Sequence, residues 1–286
     1  MTPSYSEFPM FVPTTDGQIA TVLTVPQEEP RGLVILLHGL GSGRSNLNRL
    51  WTITGRDLAD RGLATVRMDY PAVGDSTGTF HGQLEDPPVE EVETVARFIL
   101  ELLPVPRVAV VGECLGARTA FRLAPRLPQL SSIGVVSASP DGLMSGMGYS
   151  RTGRMVKDAS KRMRGLRRVA RRILPHATVR RHQVLAPDVE QGIRSVETRF
   201  LFVGDPVMFE EVRRAIGAIA SESGSSARVG EVVILPATGD SIGSWPRRLH
   251  PALLEQMVEW IDQVFPRPGP IGLSADPSAA EMVGRG

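Results

Sequence analysis

Short, largely apolar runs of strand length recur along the chain at Gly32–Leu37, Leu63–Met68, Arg107–Val111, Ser132–Ser137 and Thr198–Val203. They do not alternate apolar with polar, as expected for parallel strands buried on both faces. Helical segments are predicted between them, over 47–61 up to Gly62, 89–103 up to Pro104, and Leu115–Ala124. A helix near 207–222, a strand at 229–235 and a last helix at about 251–264 complete the order. The first 25 residues read instead as a hairpin, Glu7–Pro13 and Gln18–Val25 around the turn Thr15-Asp16-Gly17. Strand following helix in this way predicts an α/β domain with a mostly parallel central sheet and helices on both faces.

The rhythm stops at Pro140 and resumes at residue 197. This divides the chain into a core of 1–140 and 197–265, an insertion at 141–196, and a tail at 266–286 rich in Pro, Gly, Ser and Ala and expected to be disordered. Within the insertion, Met155, Ala159, Met163, Leu166, Ala170 and Ile173 follow steps of three and four, one face of a helix. Charge sets this stretch apart. The whole chain carries +1, but residues 151–182 hold 12 Arg or Lys against the single acid Asp158, leaving the remainder at −10. Three readings fit: a solvated amphipathic helix packed on the core, a basic lid that receives an anionic partner, or a membrane-surface helix.

Composition narrows the class. With 286 residues, 42% of them apolar, the chain can bury a large core, which excludes a disordered, collagenous or small disulfide-built protein. One cysteine permits no intrachain disulfide and no cysteine-built zinc site, and nothing implies a cofactor or metal. No apolar run approaches a membrane span, and the start MTPSYSEFPMF lacks the regions of a signal peptide, so a cytoplasmic location is expected. Tyr149 is the sole aromatic residue of the insertion, so no stacking platform for nucleic acid is present there.

The sharpest motif is Val110-Val111-Gly112-Glu113-Cys114-Leu115-Gly116-Ala117, a strand running through G-x-C-x-G into a helix. Small residues two before and two after Cys114 let strand and helix approach closely. The side chain then projects above the sheet edge over a helix N-terminus, which favours thiolate. The plainer alternative is a buried, inert thiol. With serine in place of cysteine this is the nucleophile elbow, and over roughly residues 18–265 the chain resembles the α/β-hydrolase superfamily. Two further features carry the resemblance. Leu37-His38-Gly39-Leu40-Gly41 is similar to the H-G-x-G oxyanion loop, which implies that the backbone N–H groups of Leu40 and Leu115 hold a developing oxyanion. His38 would then be a structural residue of that loop, the alternative being a base. Asp69-Tyr-Pro-Ala-Val-Gly74-Asp75-Ser76-Thr-Gly78 is similar to the superfamily's D-x-x-G-x-G-x-S loop, with Val73 where glycine is common.

The resemblance also implies an acid and a histidine, in the order nucleophile, acid, histidine. Asp205, in the turn after Thr198–Val203, matches the acid; its alternative role is to cap the helix at 207. The histidine should follow the strand at 231–235, near Asp240 or Ser241, but the only one downstream is His250. Either a rearranged loop containing Gly239, Gly243 and Pro246 brings His250 to Cys114, or His250 is a surface residue and the base is missing. His176 and His182 are more ordinary surface candidates. A cysteine tolerates a missing base better than a serine, because a thiol is already partly ionised at neutral pH.

Among members of the superfamily the resemblance allows thioesterases, acyltransferases, carboxylesterases and dienelactone-hydrolase-like enzymes. A cysteine nucleophile suits activated acyl groups. The basic insertion favours a thioester carried by coenzyme A or an acidic acyl carrier protein, with Arg164, Arg168 and Arg171 on the partner-binding face and Met155, Met163 and Leu166 lining an acyl pocket. An esterase or lactone hydrolase, and a non-catalytic binding protein of the same fold, are the alternatives.

Overall fold

The computed structural model describes residues 4–79, 86–137, 143–144, 185–204, 206–222, 229–236, 241–242, 245–246 and 251–267. Their strands are β1 (Tyr5–Thr14), β2 (Gly17–Pro26), β3 (Leu33–Leu37), β4 (Ala64–Met68), β5 (Val108–Glu113), β6 (Leu130–Ser137), β7 (Glu197–Val203) and β8 (Val229–Leu235), with a small pair β9 (Ser241–Ile242) and β10 (Trp245–Pro246). The helices are α1 (Leu50–Asp60), α2 (Val89–Leu102), α3 (Leu115–Leu123), α4 (Pro187–Ser195), α5 (Pro206–Glu222) and α6 (Pro251–Val264). The main sheet has the order β1-β2-β4-β3-β5-β6-β7-β8. β1 and β2 form the expected hairpin, β2 runs antiparallel to β4, and every later pairing is parallel.

Side-chain alternation distributes the apolar runs between two layers. On β3 and β5, Leu33, Ile35, Leu37, Val108 and Val110 face the core built with α2, α3, α4 and α5, whose members include Val92, Phe121, Ile193 and Phe209. Val34, Leu36, Ala109 and Val111 face the other way, onto Trp51 and Leu58 of α1 and Met257, Trp260 and Ile261 of α6. Arg31 fastens α6 by pairing with Asp262 and donating to the main-chain oxygens of Phe265 and Arg61. The β1 edge carries Pro9 and Pro13, which withhold main-chain donors from any further strand.

Three local differences from the sequence reading have physical causes. The helix expected from residue 47 starts at Leu50, preceded by a 3-10 turn in which Asn48 and Arg49 adopt left-handed φ of 54° and 61°. Residues 187–195, at the end of the span read as an insertion, form α4, which buries Val189, Gly192 and Ile193 against α3. The segment after β8, read as loop, contains the β9–β10 pair. Residues 145–184, with the whole basic stretch, lie outside the described residues, as does the tail from 268. Among the described residues no helix is long and apolar enough to cross a membrane, and no group of three or more acidic, His or Cys side chains is placed to hold a metal ion.

A charge clamp joins the hairpin to the sheet. Glu7 on β1 accepts from Arg56 of α1 at 2.6 Å and from Arg67 of β4 at 3.0 Å. Burial pushes the Glu7 carboxyl up, but the bonds from the two guanidinium groups outweigh it and hold the carboxyl below its ordinary 4.5. A depressed carboxylate contributes stability above the unfolded value, and that contribution is lost as pH falls through the folded one. Glu7→Gln should therefore cost about 1 kcal/mol at pH 7. Urea midpoints of variant and parent should converge as pH drops below the ordinary carboxylate range.

Candidate active site

Cys114 occupies the junction of β5 and α3 with φ 50° and ψ −107°, a strained conformation for a residue with a Cβ. The flanking glycines make it possible. A Cβ on Gly112 would collide with the main chain of Gly116, and one on Gly116 with the carbonyl of Leu37 on β3. Strand, turn and helix are thus in backbone contact, and the thiol is left half-buried at the C-terminal edge of the sheet. The Cys114 carbonyl accepts from Arg118 N–H at 3.3 Å, so the helical ladder begins there. Leu115 N–H belongs to the first turn, whose donors have no intrahelical acceptor.

The loop after β3 lies alongside. Gly39 packs so closely that a Cβ there would stand 3.3 Å from Cys114 Cβ and 3.0 Å from Glu113 Oε1. His38 is 1% exposed, with its ring 4.1 Å from that of Tyr70. Its Nε2 accepts from Tyr70 N–H at 3.4 Å, which leaves the proton on Nδ1, 2.8 Å from the Gly39 carbonyl. Burial pushes the imidazole below its ordinary pKa, against the opposing pull of Gly39 and Asp69. His38 is a neutral structural residue with both nitrogens engaged, not a base facing the thiol. The Tyr70 hydroxyl donates to the His38 carbonyl at 3.0 Å, and full burial raises its pKa and keeps it protonated.

Asp69 anchors the outer half of this loop. Its side chain, 2% exposed, pairs with the Arg44 guanidinium and accepts from Arg44 N–H at 2.6 Å and Asp75 N–H at 3.2 Å. Arg44 also bonds Asp75 at 2.6 Å. Ser76 donates to the Asp69 carbonyl and accepts from Ala20 N–H, tying the second loop to β2. The positive-φ positions of that loop are Ala72 and Gly74, at 53° and 55° on either side of Val73, and Gly78 at 94°. Valine at 73 therefore needs no glycine-like backbone. His38 to Gly43, Tyr70, Val73, Gly74 and Leu115 line a cavity of about 300 Å³.

The structure thus brings Leu40 and Leu115 to one cavity wall beside Cys114. Asp205, His250, Arg164, Arg168, Arg171, Met155, Met163 and Leu166 lie outside the described residues, as do His176 and His182. The sequence reading includes Asp69, at the start of the second loop motif, but does not point to Glu113, Asn46 or Arg44 as parts of one site. The 6% exposure of Glu113 at the end of an apolar strand is explained by a bond from Asn46 Nδ2 at 2.9 Å. A charged residue closing a buried run was the available signal; nothing in the sequence marked Asn46.

Chemically, such an elbow presents a thiol to a group whose carbonyl oxygen can sit between main-chain donors from the loop and the helix. Comparison with known proteins points to the same architecture. The family model of the alpha/beta hydrolase fold matches residues 32–157. No curated protein matches the chain. Among solved structures, an esterase from Pyrococcus furiosus is 16% identical with a TM-score of 0.60, covering 92% of this chain and 93% of its own. A serine hydrolase without a lid from Xanthomonas campestris is 15% identical (TM-score 0.56; 92% and 97%). A dienelactone hydrolase from Anabaena variabilis is 14% identical (TM-score 0.54; 92% and 97%). With the sheet order, the strained elbow and the two loops beside it, these likenesses establish that the chain is an α/β-hydrolase-fold protein.

Proposed function

We propose that the protein is an acyl-transfer enzyme that uses Cys114 as nucleophile on a thioester. The observation that carries this reading is the thiol held at φ 50° at the head of α3, in contact with the loop of Leu40. A merely buried cysteine has no need of that strained turn. In the first step the Cys114 sulfur forms a bond to the acyl carbon. The carbonyl π pair moves to oxygen, which accepts from the N–H groups of Leu40 and Leu115. Collapse of the oxyanion restores the carbonyl and breaks the bond to the leaving sulfur, which departs as thiolate and takes a proton. Water or a second nucleophile then attacks the acyl group on Cys114 and returns the thiol. In this reading Asp205 and His250 supply the relay that moves these protons.

The partner is an anionic carrier of the thioester, either coenzyme A or an acidic acyl carrier protein, received by the basic stretch with Arg164, Arg168 and Arg171. Met155, Met163 and Leu166 would line the acyl pocket. Exposed charge pairs are individually weak, so they act together and mainly on encounter. A second reading, hydrolysis of a short ester or lactone, is favoured by the modest 300 Å³ cavity and by the esterase and dienelactone hydrolase among the structural neighbours. Exposed Leu40 and Leu47, beside that cavity and in the loop that follows, give either substrate an apolar approach.

Salt dependence separates them. kcat/KM for a carrier-bound thioester should fall between low and high ionic strength and in Arg164→Ala/Arg168→Ala, while an uncharged short-chain ester changes little. Equal responses would count against carrier recruitment, and efficient turnover of the ester alone would favour the second reading. Binding without any turnover would mark a non-catalytic protein.

A further inference from the structure

The buried carboxyl of Glu113 has no part in the acyl-transfer steps above, yet it lies inside the site. It ends β5, immediately before Cys114, and is 6% exposed. Asn46 reaches it from a loop under strain: Asn46, Asn48 and Arg49 all have φ between 54° and 61°. The orientation of the Asn46 amide is fixed. Its Oδ1 accepts from Leu47 N–H at 2.6 Å, so Nδ2 is the group turned to Glu113 Oε2, at 2.9 Å. The other carboxyl oxygen packs against Gly39. Glu113 therefore touches both ends of the loop 39–46, whose middle carries Leu40 and lines the cavity with Leu115.

Resting on the acyl-transfer reading of the site, we propose that Glu113 is a positioning residue for it: with Asn46 it fixes the main-chain donor at Leu40 relative to Cys114. The two remaining anchors of the loop, His38 on Tyr70 and Arg44 on Asp69, hold its beginning and outer half. Among the described residues, Glu113 supplies the side-chain hydrogen bond that ties the end of the loop to the elbow, while Gly39 packs on Cys114 at its start. Asn46, at φ 58° and ψ 175°, lies outside the left-handed helical well that asparagine tolerates; such a conformation persists only where surrounding contacts over-determine it, and the bond to Glu113 is such a contact. The carboxylate has a second consequence. Glu113 and Cys114 are neighbours in the chain and both pack against Gly39, so the carboxylate and the thiol share one corner of the site. The groups around that corner are the neutral His38 ring after β3, Asn46 from the loop, and Tyr70 after β4, whose hydroxyl also meets Thr119 of α3. A negative charge there disfavours thiolate.

The test uses the full chain with Glu113→Gln, which keeps shape and acceptor but loses charge, and Asn46→Ala, which loses the donor. Turnover of a short acyl thioester and iodoacetamide labelling of Cys114 across pH are measured for both, with circular dichroism to confirm folding. Expected is a fall in kcat of about tenfold or more for Asn46→Ala and of about threefold for Glu113→Gln, whose amide oxygen still accepts from Asn46 without the help of charge, with KM within about twofold in both, because the misplaced donor acts on the transition state. Glu113→Gln should also lower the labelling midpoint by about one unit, and Asn46→Ala should not. A purely structural residue would change the melting temperature without this split. Unchanged kcat in both folded variants overturns the proposal, whether or not the midpoint moves. If the parent protein turns over no thioester or ester, the acyl-transfer reading fails first. Intact turnover in the parent with unchanged kcat in the variants is thus the failure of the positioning alone, and a parent without turnover is the failure of the reading on which it rests.

Discussion

Cys114→Ala is expected to reduce turnover of acyl thioesters by at least about a thousandfold, because no other group in the mechanism can form the covalent intermediate. The substitution should leave the fold intact. Alanine has the same Cβ as cysteine, so it bears the same strain at φ 50°. Cys114→Ser is the more informative companion. A hydroxyl needs a base whereas a thiol does not, so a working relay through Asp205 and His250 should leave the serine variant measurable activity. If the base is missing, serine should be as inactive as alanine. Steady-state kinetics on one thioester, with all three proteins at equal concentration, checks both statements. Retained turnover in Cys114→Ala would remove the nucleophile from the account.

The second large effect is on stability. Oδ2 of Asp188, at the start of α4, accepts from Arg118 Nε at 2.9 Å and Arg122 Nε at 2.8 Å, both of α3, and Arg118 Nη2 stands 2.9 Å from Oδ1 as an ion pair. The Arg118 side chain is 7% exposed and lies one turn beyond Cys114, to whose carbonyl its N–H is bonded. Asp188→Ala strands this guanidinium without its counter-charge. Breaking a buried pair from one side costs about 3–5 kcal/mol. For a chain of this size that corresponds to a fall in melting temperature of roughly 5–8 °C. Adding Arg118→Leu to Asp188→Ala should recover part of the loss, since the uncompensated charge is then gone. Urea denaturation of the single and double variants gives the comparison, and a loss below about 1 kcal/mol in Asp188→Ala would contradict the clamp.

What could be read from the sequence and what could not follow from the range of the forces involved. The core strands were legible because burial on both faces demands unbroken apolar runs, as in Leu33–Leu37, where every residue is buried. The elbow was legible because its glycines answer a steric demand at fixed spacing. α4 was missed because its buried face rests on Val189, Gly192 and Ile193, only two of them with large apolar side chains, directly after a long basic stretch. The late start of α1 had a signal in Asn46 and Asn48, residues that tolerate left-handed φ, but helical periodicity across 47–61 masked it. Arg44 with Asp69, and Asn46 with Glu113, are pairs 25 and 67 residues apart. Such contacts obey no local pattern and appear only once the sheet has brought β3, β4 and β5 side by side. Glu113 sits at a position of the G-x-C-x-G motif that the turn leaves unconstrained, so its place in the site could be found only in three dimensions.

Intact-protein mass spectrometry after brief incubation with a panel of acyl thioesters tests the central claim most directly. The account predicts one added acyl mass per chain, mapped by peptide digestion to Cys114, absent in Cys114→Ala, and discharged by an added nucleophile. A parent protein that hydrolyses or transfers the acyl group while Cys114 never carries it, even under rapid quenching, would contradict it.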